Sequence, residues 1–158
     1  MLATIKQADK GYEATFERSF NEQVGQVWTT LTDNAHLKKW MSNLEVILLQ
    51  KGGTIQFHFN DGTGSSFAMN ILDYEEESCL QFDWGEGFVR FELNEAGKGS
   101  CLRLIEYFPS LNDHTPKDLA GWHVCLDLFA AVLKGGQRTF RKRNGMLGTN
   151  STRHSCKR

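Results

Sequence analysis

Proline is scarce, two residues in 158, too few for a proline-rich linker. No uncharged apolar run approaches the ~18 residues that a membrane-spanning helix requires. The opening MLATIKQADKGYEATF lacks the apolar stretch of a secretory signal, and the chain reads as cytoplasmic. Cys79, Cys101, Cys125 and Cys156 show no CxxC spacing. They read as buried thiols of a reducing compartment rather than a zinc site or disulfide framework. His36, His58, His114 and His154 are not paired at metal-ligand spacing and HExxH is absent, so no metal and no other cofactor is expected. No Ser-His-Asp or Cys-His nucleophile arrangement is recognisable. The G-x-G triplets at 85–87 and 97–99 have strand-like segments on both sides, whereas a phosphate loop needs a following helix.

What is present is the composition of one ordinary domain. Hydrophobic residues make up 40%, with 11 Phe, 4 Trp and 3 Tyr. Each aromatic side chain buries roughly 150–250 Å², enough together to line a large core or pocket. Charge is unevenly placed. Residues 1–133 carry ten basic and nineteen acidic residues, a net of −9, while the last 25 carry eight basic and no acidic ones. Such a tail is read here as a solvated extension beside an acidic body, and no nucleic-acid partner is assigned to it.

Residues 12–20 alternate, with Ala14, Phe16, Arg18 and Phe20 on one side, as in a half-exposed strand. Asn21 is the expected cap of a short helix with Val24, Val27, Trp28 and Leu31 on one face. Asp33 or Asn34 opens a second, carrying Leu37, Trp40 and Met41. The pattern then switches to strands at about 44–50, 54–59, 65–74, 79–84, 87–93 and 100–108, separated by hairpin-type turns such as Gly85-Glu86-Gly87. Thr115-Pro116-Lys117-Asp118 is a helix opening, with a hydroxyl cap, proline at the first position and an acid near the positive end. Leu119, Trp122, Leu126, Phe129, Ala130 and Leu133 form its apolar stripe. Gly135-Gly136 should stop it, because two interior glycines cost about 2 kcal/mol against alanine. Residues 1–11 are then an N-terminal tail, 12–135 the domain, and 136–158 a basic, partly disordered extension.

A long antiparallel sheet curls as it twists, and its apolar concave face must be covered. The C-terminal helix, about 28 Å over residues 116–134 at ~1.5 Å per residue, is the element long enough. One helix cannot fill a deeply curved sheet, so an internal cavity is expected. Phe16-Glu17-Arg18-Ser19-Phe20, Val27-Trp28, Leu31-Thr32-Asp33 and Leu37-Lys38-Lys39-Trp40 together resemble the opening of the START-related, polyketide-cyclase-like (SRPBCC) superfamily. Gly121-Trp122-His123-Val124-Cys125-Leu126-Asp127 resembles the last-helix signature of its heat-shock-protein-90 ATPase-activator-like branch. The resemblance covers about residues 12–135. It implies an α+β helix-grip fold: a curved antiparallel sheet of about seven strands wrapped on a long C-terminal helix, with two short helices after strand 1. It implies no particular reaction, since members range from lipid carriers to cyclases and a chaperone activator.

Strand alternation places Phe57, Phe59, Phe67, Met69, Ile71, Phe82 and Trp84 on the inner face, followed by Val89, Phe91, Leu93, Leu102, Leu104 and Phe108. Trp122 and Leu126 oppose them from the helix, and Trp28 joins them from the first short helix. These residues either pack as a solid core or line an apolar ligand site. Glu106 shares the alternation class of Leu104 and Phe108, so the pattern turns a carboxylate inward, where it must find a partner or take up a proton. His123, on the flank of the helix stripe, is one such partner. Glu106 and His123 are therefore the only candidates for proton transfer, and no catalytic residue is assigned outright. The leading expectation is binding of a small apolar or amphipathic molecule in an internal cavity. The alternatives are a protein-interaction module of the chaperone-activator type and a cyclase-like or hydrolytic enzyme.

Overall fold

A computed structural model describes residues 4–8, 11–111, 113 and 115–135. The basic extension 136–158, with Gly136 of the expected stop and the disorder expected there, lies outside the described residues. Alternating and periodic segments form β1 (Thr4–Ala8), β2 (Gly11–Phe20), α1 (Val24–Thr32), α2 (Asn34–Trp40), β3 (Leu44–Leu48), β4 (Thr54–His58), β5 (Ser66–Glu75), β6 (Cys79–Trp84), β7 (Gly87–Ala96), β8 (Gly99–Phe108) and α3 (Thr115–Gly135). The strands make one antiparallel sheet in the order β1-β2-β8-β7-β6-β5-β4-β3. From β3 to β8 each strand pairs with its successor, the hairpin order that short turns impose. The pairing of β2 with β8, running from Tyr12↔Phe108 to Phe20↔Ser100, brings the two ends of the domain together. The helices α1 and α2 carry the chain from β2 to the opposite edge of the sheet at β3. Register shifts between Val46 and Leu48 and between Ile71 and Asp73 add local twist and bend where the sheet curls.

The architecture is the helix-grip fold that the resemblance implies, with eight strands rather than about seven. The additional strand is β1, which corrects the reading of residues 1–11 as a tail. TIKQA has little apolar content, and Ile5 is 47% exposed, so β1 is an edge strand held by backbone pairing to β2 rather than by burial. The expected cap also moves. Gln23, not Asn21, is the N-cap of α1, and it makes no side-chain cap hydrogen bond. Among the described residues, Cys79 and Cys125 are free cysteines, the first buried and the second half-buried.

The core sits between the concave sheet face and the three helices. Trp28 and Trp40 hold the short helices in place, 5% and 3% exposed. The indole Nε1 of Trp40 donates to the Thr30 carbonyl at 3.0 Å, which removes the cost of burying that polar group. Its ring meets Phe129 of α3 edge-on, 5.1 Å between centroids, a favoured aromatic geometry. Leu104, Leu126, Phe82 and Phe91 are buried in the same cluster. Each such side chain contributes roughly 1.5–3 kcal/mol by leaving water.

Candidate ligand cavity

The stripe of α3 is apolar from Trp122 through Leu126 and Phe129 to Leu133, and it fills the middle of the sheet. One turn N-terminal to Trp122, the same helix face carries Asp118, and nearly one turn further Thr115. These shorter, polar side chains do not continue the packing. A cavity of about 410 Å³ opens there. Its walls are Phe57 of β4, Phe59, Phe67 and Met69 around the β4–β5 hairpin, Trp84, and the Gly85-Glu86-Gly87 turn. Glu106, Phe108, Pro109 and Ser110 from the end of β8, with Thr115 and Asp118 of α3, close the opposite side. Two glycines shape the turn. Gly85 has φ +59°, a conformation disfavoured for residues with a Cβ. A Cβ on Gly87 would collide with the Tyr107 carbonyl of the neighbouring strand.

The aromatic wall is continuous. Phe57 stacks on Phe67 at 5.2 Å, meets Phe59 edge-on at 5.5 Å, and lies 5.9 Å from Trp84. Phe59 and Phe67, 46% and 44% exposed, form the lip. Trp84 stands 5.0 Å from Trp122, which seals the floor against the core.

Glu106 is 4% exposed, inside this wall. Its neighbours across the sheet are Ala14 on β2 and Val89 on β7, neither of which offers a polar group. Burial, then a hydrogen bond to Asp118, then the negative charge of Asp118 push the Glu106 carboxyl up to about 9. At neutral pH Glu106 therefore keeps its proton beside Asp118, because burial in an apolar setting disfavours its charged form. Asp118 Oδ1 also accepts from Trp84 Nε1 at 3.2 Å, which fixes its orientation. Glu106 Oε1 has no hydrogen-bond partner, and neither has the buried Nε1 of Trp122.

His123 is engaged elsewhere. Its Nδ1 lies 3.2 Å from Arg18 Nη2, and its Nε2 lies 3.8 Å from Asp127 Oδ2. A guanidinium only donates, so Nδ1 is the accepting nitrogen. Burial lowers the Arg18 pKa from its usual value, with Asp127 opposing the shift. The structure thus brings Glu106 to Asp118 and takes His123 to Arg18.

The residues expected at the cavity divide into two groups. Phe57, Phe59, Met69, Trp84 and Glu106 line it. Trp28, Ile71, Phe82, Phe91, Leu93, Leu104, Trp122 and Leu126 belong to the packed cluster beside it. Asp118 was legible in principle, since it stands four residues before Trp122 and so shares its helix face. Among the described residues, no group of three or more His, Cys, Asp or Glu is placed to hold a metal. No described helix is long and apolar enough to cross a membrane.

A curved antiparallel sheet closed on a long C-terminal helix, with two short helices in the crossover, defines a helix-grip protein. The chain belongs to the family described as Activator of Hsp90 ATPase homolog 1-like protein, whose family model matches residues 21–134. Among solved structures it is similar to a conserved protein of unknown function from Enterococcus faecalis, 27% identical, with a TM-score of 0.75 over 83% of this chain and 76% of that one. CalU16 from Micromonospora echinospora shares the fold at 18% identity and a TM-score of 0.67, covering 91% of both chains. DynU16, a putative protein of the dynemicin biosynthetic locus, does so at 20% identity and a TM-score of 0.68, over 82% of this chain and 49% of that one. No curated protein matches the chain significantly.

Proposed function

We propose that the protein binds a small amphipathic molecule, with a largely apolar body, in the cavity at the N-terminal end of α3. The observation that supports this most directly is the combination of a space of about 410 Å³, a continuous aromatic wall and one buried carboxyl with an unpartnered oxygen. Apolar walls with a few oriented polar groups are the usual composition of a small-molecule site. A neutral fluorescent probe, N-phenyl-1-naphthylamine, should bind the full chain with enhanced emission. Met69→Trp, which adds volume from the wall, should abolish that emission while the protein still unfolds cooperatively in urea. Absence of probe binding by the parent chain, or undiminished binding by the variant, would sink this reading.

The family name carries a second reading, an interaction module for an Hsp90-type chaperone. Val124 and Leu128, 55% and 45% exposed one turn apart on the outer side of α3, are the apolar residues such a contact would use. Loss of chaperone retention in Val124→Asp with Leu128→Asp would support it.

A further inference from the structure

We infer that the ligand is an organic cation, a protonated amine or a quaternary ammonium group on an apolar body, seated with its charge at Glu106 and Asp118 and its body against Phe57, Phe67 and Trp84. This rests on the binding reading above and gives it a ligand class. The first support is the charge of the walls. Glu86 stands at the mouth and Asp118 and Glu106 inside, and among the described residues no Lys, Arg or His lines the space. The second is the aromatic wall, since ring faces carry partial negative charge and attract a cation that has shed water. The third is Glu106 Oε1, an acceptor in a side chain 4% exposed, with no donor beside it.

Among the described residues, the groups around Glu106 leave it no internal cation. β2 and β7 present Ala14 and Val89 to it, Tyr12 of β2 lies against Phe108, and α3 presents Asp118. Without a cation, Glu106 keeps its proton beside Asp118. An arriving cation takes the place of that positive charge: Glu106 loses its proton to solvent, and the complex keeps both carboxylates beside the ammonium group. An anionic ligand would instead meet the Asp118 carboxylate with no compensating charge.

The test uses three ligands of matched shape displacing N-phenyl-1-naphthylamine from the full chain: benzyltrimethylammonium, its uncharged isostere neopentylbenzene, and phenylacetate. The cation should bind at least about tenfold more tightly than either of the others. Calorimetry near pH ~7 in buffers of different ionisation enthalpy should show release of about one proton per cation bound. Glu106→Gln, which keeps the shape of the protonated side chain, should abolish the proton release and reduce the cation preference to within about threefold, while still binding the neutral probe. Asp118→Asn should reduce the preference as well. A neutral isostere binding as tightly as the cation, or a cation preference unchanged in both variants, would overturn the ligand class and leave the cavity reading standing. If the parent chain binds neither the probe nor any of the three, the cavity reading falls and this inference falls with it.

Discussion

The protonated state of Glu106 has a consequence for stability that can be worked through with its sign. In the unfolded chain a glutamate loses its proton near 4.5, whereas burial and Asp118 hold it in the folded protein up to about 9. Between these two values the folded state carries one more proton than the unfolded state, so stability falls as pH rises. The slope is about −1.4 kcal/mol per pH unit. From pH ~5 to ~8 the contribution amounts to about 4 kcal/mol, fully present below the unfolded value and lost as pH climbs toward the folded one. Glu106→Gln removes the titration and keeps the size of the side chain. Parent and variant should therefore be similar in stability at acid pH, with the Gln variant becoming progressively more stable toward pH ~8.

The measurement is equilibrium urea unfolding of both proteins at several pH values, followed by tryptophan fluorescence. The difference between the two curves isolates Glu106, because every other titrating group is common to both. Asp33, Asp61 and Asp73 are shifted downward, chiefly by side-chain hydrogen bonds with His36, Thr63 and Arg90. Their contributions have the opposite sign and are lost at acid pH, below the window. Parallel stability curves from pH ~5 to ~8 would mean that Glu106 ionises in the fold as it does in water. The buried, protonated state of Glu106 would then be refuted.

Three further outcomes follow from the packing. Leu104→Trp and Leu126→Trp, at positions 0% and 1% exposed, should each destabilise by roughly 1–3 kcal/mol or more in urea unfolding, because they add volume to the filled part of the grip. Trp28→Ala and Trp40→Ala should each cost about 3–5 kcal/mol in the same assay, and near-neutral results for both would contradict the docking of α1 and α2. Gly87→Ala should destabilise by about 1–3 kcal/mol in thermal or urea unfolding, since its Cβ would drive against the Tyr107 carbonyl and part β7 from β8 beside the cavity.

Local periodicity carried much of the fold, and its limits are as physical as its successes. The alternation Leu102, Leu104, Glu106, Phe108 turned the glutamate inward because a strand has only two faces, and the structure buries Glu106. The same rule could not separate Leu104 from Glu106 by environment. Alternation reports which face a side chain is on, while position along the sheet decides whether anything opposes it. β1 escaped notice because an exposed edge strand needs backbone partners more than apolar side chains, and TIKQA advertises neither. His123 follows Trp122 by one residue, about 100° around the helix. It therefore leaves the inner face and finds Arg18 and Asp127.

The boundary between core and cavity is set by the helix. Every strand from β5 to β8 brings apolar residues to the concave face, but they close into a packed interior only where α3 supplies large side chains against them. From Leu133 back to Trp122 it does so. One turn before Trp122, Leu119 still packs partly buried against the core, while beside it Asp118 and then Thr115 line the space. Apolar residues at these positions would continue the stripe by a turn and fill the space. Asp118 instead leaves the aromatic wall uncovered and gives the buried Glu106 a carboxyl neighbour. The acid that reads as a favourable helix-opening residue by its place near the positive end of α3 therefore has a second role. It borders the core, holds Trp84 by a hydrogen bond, and adds to the burial that raises the Glu106 pKa. A single position on α3 couples the extent of the cavity to its charge.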